Sequence, residues 1–211
     1  MLRGNLIVFE GIDGAGTTTQ ANQLREAFVS RGLPAHVTAQ PSGGPVGMII
    51  RQVLTGRFTK SPGWAAMSLL FAADRQDQQE FEIEPNLKEG VNVICDRYVP
   101  SSAVYQSVSS NKEKSVDWIL EINSKIKKPD VVFYLKISAD EAARRRAARG
   151  GREELFDDPE FQRKLVKTYN KLEEIFPDLK IVTINAEDSK ENIAEEIWRI
   201  VEEIRAQGAP L

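Results

Sequence analysis

The segment Gly11-Ile12-Asp13-Gly14-Ala15-Gly16-Thr17-Thr18-Thr19-Gln20 follows the apolar run LIVFE and opens a helical pattern carrying Leu24 and Phe28. Glycines in such a turn let backbone N–H groups converge on an anion, and the following helix N-terminus adds partial positive charge. A strand, this turn and a helix are together the context of a loop that binds the phosphates of a nucleoside triphosphate. Thr18 stands where that loop's hydroxyl holds Mg2+, whereas Thr17 takes the lysine position of the pattern G-x-x-x-x-G-K-[ST]. Taken alone, the segment also fits a glycine-rich turn that caps a helix through Thr17. Other residues bear on the choice. Asp96-Arg97-Tyr98 ends a second apolar run, where an acid can orient a metal shell or phosphate and an arginine can neutralise phosphate charge, or the two can form a strand-end ion pair. Phe71 and Arg75 lie four apart on a helical segment and share one face, so they can address one flat ligand, Phe71 by stacking and Arg75 by donating hydrogen bonds. Five arginines, Arg144, Arg145, Arg146, Arg149 and Arg152, crowd the Gly150-Gly151 break. Such cations either form a solvated basic face or close over bound phosphates.

These residues need a scaffold, and the sequence supplies an alternating one. Runs at 5–10, 35–39, 91–96, 131–137 and 180–185 read as five strands separated by helical patterns, which predicts βαβ units in a parallel sheet with helices on both faces. Ile193, Ile197, Ile200, Val201 and Ile204 form the apolar stripe of a last helix, capped by Asp188 or Ser189. Phe161, Leu165, Tyr169 and Leu172 share one side of the helix after the glycine break, which marks 144–156 as a lid. Pro41, Gly43, Gly44 and Pro45 place a loop after the second strand, at the ligand-binding edge of such a sheet. No repeat or linker divides the chain, so residues 1–211 read as one α/β domain. The net charge of −3 argues against general binding to nucleic acid or an anionic membrane. The single cysteine, Cys95, sits in an apolar run as a buried strand residue and points to a reducing, cytoplasmic setting. No window approaches the ~20 apolar residues of a membrane span, and the start is too short in apolar residues for a signal peptide.

At this resolution of motif the chain resembles the thymidylate kinases. EGIDGAGTTTQ is similar to their phosphate loop apart from the lysine, and LLFAADR, DRYVPSSAVYQ, KKPDVVFYL and RRRAARGGREELF resemble their later motifs in the same order. The resemblance implies a P-loop fold that transfers a phosphoryl group from ATP to dTMP with Mg2+, as a homodimer. It implies that Gly11, Asp13, Gly14, Ala15, Gly16, Thr17, Thr18 and Thr19 hold ATP, and that Thr18 and Asp96 serve the metal. Asp13, Arg51, Phe71, Arg75, Arg97, Ser101, Ser102, Tyr105 and Gln106 would receive dTMP, with Phe71 and Arg75 at the base and Tyr105 against the 2′-position. Asp13, Asp96, Arg97, Arg145, Arg149 and Arg152 would carry catalysis.

Three positions depart from that pattern: Thr17 for lysine, Ala39-Gln40-Pro41-Ser42 for Arg-Glu-Pro-Gly, and Lys136 for aspartate. Gly14 also stands where some members carry a loop arginine. Loss of one preorganised donor costs on the order of 10²–10³ in rate, so the lid arginines are expected to compensate. The alternatives are a kinase for another pyrimidine nucleotide or deoxynucleoside, and a nucleotide sensor that lost transfer with its lysine. Nucleic-acid binding is disfavoured, because the arginines lack interleaved aromatic stacking residues.

Overall fold

In the computed structural model, which describes residues 3–110, 112, 115–150 and 158–206, five parallel strands form one sheet. They are β1 (Leu6–Glu10), β2 (Ala35–Ala39), β3 (Asn92–Asp96), β4 (Val131–Lys136) and β5 (Ile181–Asn185), in the order β2-β3-β1-β4-β5. All five expected strands are present, with ends within one residue of expectation. The central strands β1 and β3 are buried throughout and the edge strands only in part, which is why the central ones read as unbroken apolar runs.

The helices are α1 (Thr17–Val29), α2 (Pro45–Leu54), α3 (Trp64–Gln78), α4 (Glu84–Lys88), α5 (Val99–Ser110), α6 (Ser115–Ile122), α7 (Ala139–Arg149), α8 (Pro159–Tyr169), α9 (Leu172–Ile175) and α10 (Lys190–Ala206). A π-helical turn at Gln79–Ile83 joins α3 to α4. Side-chain alternation in β1 sends Ile7 and Phe9 into one core with Leu24, Phe28 and the α10 stripe, and Leu6 and Val8 into another with Ile83, Leu87 and Cys95. Helices therefore cover both faces of the sheet. In α10 Ser189 accepts from the Asn192 N–H and is the cap, while Asp188 accepts from the Ser189 N–H just ahead of the helix. Leu172 is displaced from the expected helix: α8 stops at Tyr169, and Leu172 packs on the same core from α9.

Register aligns the functional ends. Phe9 pairs with Asp96 and Glu10 with Tyr134, so the loops after β1, β3 and β4 open on one edge of the sheet, and Ala39 beside Asp96 brings the β2 loop there too. In open parallel sheets that carboxyl edge is where ligands sit.

Candidate active site

The loop after β1 turns through Gly14 and Gly16, both in the left-handed region at φ of about +95°, where a Cβ is strained. Gly14 has a second constraint: a Cβ there would lie 2.6 Å from the carbonyl oxygen of Ala142 in α7. Gly16 caps α1 with no side-chain bond, so Thr17 is the helix's first residue rather than its cap. The capping-turn reading of this segment is thereby corrected. The loop lines a cavity of about 360 Å³ with Asp96, Arg97, Arg145, Arg146 and Lys190. Thr18 Oγ1 donates to Asp96 Oδ2, while Asp96 Oδ1 is buried without a protein partner. Asp96 and Arg97 do not pair with each other; the strand-end ion pair is absent.

The lid arginines separate by function of place. Arg144 is exposed and bonds both oxygens of Glu141 at 2.7 Å, and Arg145 donates its Nε to the same carboxylate at 2.8 Å. These bonds from Arg144 and Arg145 hold Glu141 down at about 2. Arg145 still lines the phosphate cavity. Arg146, which the sequence reading did not single out, donates from Nη1 to the carbonyl oxygen of Asp13 at 2.5 Å and lines that cavity as well. The side chain of Arg149 and all of Arg152 lie outside the described residues.

A second cavity, of about 260 Å³, adjoins the first and shares Asp13 and Arg97 with it. Its lining includes every residue expected at the acceptor: Asp13, Arg51, Phe71, Arg75, Arg97, Ser101, Ser102, Tyr105 and Gln106. Arg97 adopts φ +72°, a left-handed turn that costs a non-glycine residue about 1–2 kcal/mol, and this swings it off the strand line between the cavities. Its Nη2 donates to Asp13 Oδ1 at 2.7 Å, and its guanidinium lies 5.1 Å over the Tyr105 ring. Tyr105 donates to the other Asp13 oxygen at 2.9 Å. Burial disfavours the charge on Arg97, but Tyr105 and Asp13 outweigh it and hold the guanidinium more firmly protonated than usual.

Arg75 differs from expectation. It is fully buried, and donates to Gln40 Oε1 (2.8 Å), Asn123 Oδ1 (2.5 Å), the Tyr98 carbonyl (3.3 Å) and Ser102 Oγ (2.8 Å). Four of its five N–H groups are thus committed to protein, so it offers the cavity one N–H and a charge rather than an open fork. Burial lowers its affinity for the proton. Its bonded partners are neutral, and Gln40, one of the departures from Arg-Glu-Pro-Gly, is among them. Ser42, another, holds buried Asp74 through both its amide (2.8 Å) and its hydroxyl (2.5 Å). Arg51 donates to the Pro41 carbonyl, closing the same loop over the cavity. Lys136 is the exposed end of β4 and lines neither of the two cavities.

Glu10 is the site residue sequence reasoning missed. It is fully buried at the end of β1, where Oε1 accepts from the N–H groups of Tyr98 (2.8 Å) and Ser101 (3.2 Å), and Oε2 from the hydroxyls of Ser101 (2.6 Å) and Tyr169 (3.1 Å). This clamp fixes the turn that carries Arg97 and the first turn of α5. Burial raises the carboxyl above its ordinary value of 4.5, with bonds from Ser101 and the Arg97 charge offsetting part of that. A raised acid in the folded state means that folding favours its proton, so stability falls as pH rises from the ordinary carboxylate range to the raised folded value. Glu10→Gln keeps all four bonds, because both hydroxyls can also accept. The variant is therefore expected to gain on the parent in urea midpoint as pH rises above the ordinary carboxylate range. A difference that stays constant over that rise would show that Glu10 titrates as in the unfolded chain.

A phosphate loop on the central strand of a parallel sheet, with an adjoining cavity that shares its acid and arginine, defines a P-loop kinase. The chain belongs to the thymidylate kinase family, whose model matches residues 9–197. It is 38% identical over 203 residues to a probable thymidylate kinase of Pyrococcus horikoshii, covering 95% of this chain and 97% of the relative. A putative thymidylate kinase of Treponema pallidum is 38% identical over 207 residues, with 95% and 96% covered. The thymidylate kinase structure from Candida albicans superposes with a TM-score of 0.81 at 26% identity, covering 96% of this chain and 93% of that one.

Proposed function

We propose that the chain transfers the γ-phosphoryl group of ATP to dTMP, giving ADP and dTDP. The observation that carries this reading is the junction of the two cavities at Asp13 and Arg97, which would set a donor phosphate and an acceptor phosphate on either side of one guanidinium. Phosphoryl transfer asks the protein for in-line positioning and for charge around the transferred group. The phosphate loop would hold the donor, Arg51 and Arg97 the acceptor phosphate, and Arg145 would add charge from α7. Tyr105, fixed by Asp13, would stand against a ribose 2′-hydroxyl.

Among the described residues no group of three or more His, Cys, Asp or Glu could cage a metal. That suits Mg2+, which is held by one or two carboxylates together with substrate phosphates. The unpartnered Asp96 Oδ1 and the neighbouring Thr18 hydroxyl fit such an ion. When bound, it neutralises charge on the donor's outer phosphates. Exposed Met48 and Ile49 on α2 and Leu69 on α3 support the homodimer implied by the resemblance. Among the described residues no helix is long and apolar enough to cross a membrane, and the buried free Cys95 suits a reducing cytoplasm.

The test is ADP formation with Mg-ATP and, in turn, dTMP, its ribonucleotide, dUMP, dCMP and thymidine. dTMP is expected to turn over fastest and thymidine not at all, since the two acceptor arginines require a phosphate. Tight ATP binding without any product would instead identify a sensor. Phe71→Ala is expected to raise KM for dTMP about 10-fold, the worth of one base–aromatic stack, and leave KM for ATP within about 2-fold. Equal changes in both would remove Phe71 from the base site.

A further inference from the structure

We propose that Gln78 and Glu82, which line neither cavity, position Arg75 through Gln40 and so set how strictly the enzyme separates thymine, with a carbonyl at the edge facing Arg75, from cytosine, with an amino group there. The inference rests on the dTMP reading, in which Arg75 meets the base, and assigns residues which that reading does not. Its first support is a pattern that neither segment shows alone. His36, Thr38 and Gln40 alternate along one side of β2 and its continuation, while Arg75, Gln78 and Glu82 follow one another along α3 and the π-helical turn after it. The two rows meet pair by pair: His36 Nε2 lies 2.7 Å from Glu82 Oε1, Gln78 Nε2 donates to Thr38 Oγ1 at 2.7 Å, and Arg75 Nε donates to Gln40 Oε1 at 2.8 Å. Further bonds join the pairs into a chain. Gln78 Nε2 donates to Glu82 Oε2 at 3.1 Å and to the Ala39 carbonyl at 3.2 Å, and Gln40 Nε2 donates to Gln78 Oε1 at 2.9 Å. Of these, Gln40 and Arg75 line the acceptor cavity.

The second support is direction. A guanidinium only donates and an ionised carboxylate only accepts. Burial works against the charge on Glu82, but bonds from His36, Thr38 and Gln78 outweigh it and hold the carboxyl below its ordinary value of 4.5. With Glu82 and the Ala39 carbonyl both accepting, Gln78 must give them its nitrogen and turn its oxygen to Gln40. Gln40 must then give its nitrogen to Gln78 and its oxygen to Arg75. Both amides are buried, so neither turns without leaving a polar atom unpaired. Glu82 at one end therefore decides which atom Arg75 meets at the other. A glutamate at position 40 would set oxygen against oxygen at Gln78. The neutral residue belongs to this chain of bonds, and it leaves the Arg75 charge without a bonded carboxylate and its remaining N–H to the base.

The experiment measures kcat and KM for dTMP and dCMP in the parent, Gln78→Met, Gln40→Glu, Glu82→Gln and the last two combined; equilibrium dialysis with the same two nucleotides reads the same ratios if turnover is absent. Gln78→Met keeps the bulk and frees the Gln40 amide. It is expected to raise KM for dTMP about 10-fold, with kcat and KM for ATP within about 3-fold of the parent, and to lower the preference for dTMP over dCMP by a similar 10-fold. Gln40→Glu is expected to do the same. Adding Glu82→Gln should then recover at least about 3-fold, because an amide at position 82 can donate to a turned Gln78, whereas Glu82→Gln alone still accepts from Gln78 and should stay within about 3-fold of the parent. Side chains that only fill space would give no such rescue. A Gln78→Met enzyme that keeps the parent's preference within about 3-fold overturns the proposal. So does a combined variant no better than Gln40→Glu, and this comparison decides if Gln78→Met fails to fold. A parent that takes dCMP as readily as dTMP overturns the base reading and the proposal with it, whereas a parent that discriminates beside a Gln78→Met enzyme that discriminates equally overturns the proposal alone.

Discussion

Arg97→Ala is expected to lower kcat/KM for dTMP by about 10³-fold, more than any other single arginine replacement in the site. Two losses combine in it. The guanidinium that separates the two cavities disappears, and Asp13, relieved of its 2.7 Å partner, turns an uncompensated carboxylate toward two incoming phosphates. Replacement by lysine should recover little, because an ammonium cannot reach Asp13, Ser101 and an acceptor phosphate with one planar fork. The fold itself is not the cause of the loss. Arginine already bears the left-handed strain at φ +72°, and alanine bears the same, so the stability change is confined to lost contacts. Arg97→Gly relieves that strain by about 1–2 kcal/mol and should melt higher than Arg97→Ala while showing the same kinetic defect. Thermal denaturation reads the first, and steady-state ADP release at saturating ATP reads the second. An Arg97→Ala enzyme within about 10-fold of the parent would place the acceptor phosphate elsewhere.

Much of this site was legible in the sequence because it is built from short segments that leave strand ends. The run from LIVFE into three glycines specifies a phosphate loop locally, and DRY after an apolar run places an acid and an arginine at the carboxyl edge. What could not be read is whatever depends on pairing across the sheet or on helix phase. Glu10 looked like the polar end of a strand; its four donors come from residues 98, 101 and 169, which only the folded chain assembles. Gln40 looked like a lost charge, yet it is a fixed acceptor for Arg75 across 35 positions. The lid shows the same limit at a finer scale. Helical spacing groups Arg145 with Arg149, but it does not say which side of α7 meets the loop. That phase is set by Ala142 packing on Gly14, and it brings Arg146 to Asp13.

Asp96→Asn is expected to lower kcat by about 10³-fold and to raise the Mg2+ concentration for half-maximal activity at least 10-fold. Asp96 is buried, one oxygen takes the Thr18 hydroxyl, and the other has no protein partner. A buried carboxylate oxygen left unsatisfied is costly unless a cation or its water shell meets it. Asparagine keeps the shape and one acceptor oxygen but removes the charge. Unit charges ~4 Å apart interact by about 4 kcal/mol at an effective dielectric of 20, whereas a neutral hydrogen bond contributes about 1 kcal/mol. Loss of the Asp96 charge should therefore far exceed loss of its bond from Thr18, and Thr18→Ala should fall well short of Asp96→Asn in both kcat and metal dependence. Binding can be read apart from turnover by titrating Mn2+ into the protein with ADP and following the free-ion electron paramagnetic signal. Weaker Mn2+ retention in Asp96→Asn than in Thr18→Ala is the expected order. If kcat collapses while Mn2+ retention and the Mg2+ requirement stay those of the parent, Asp96 acts on the accepting phosphate and its metal role is wrong.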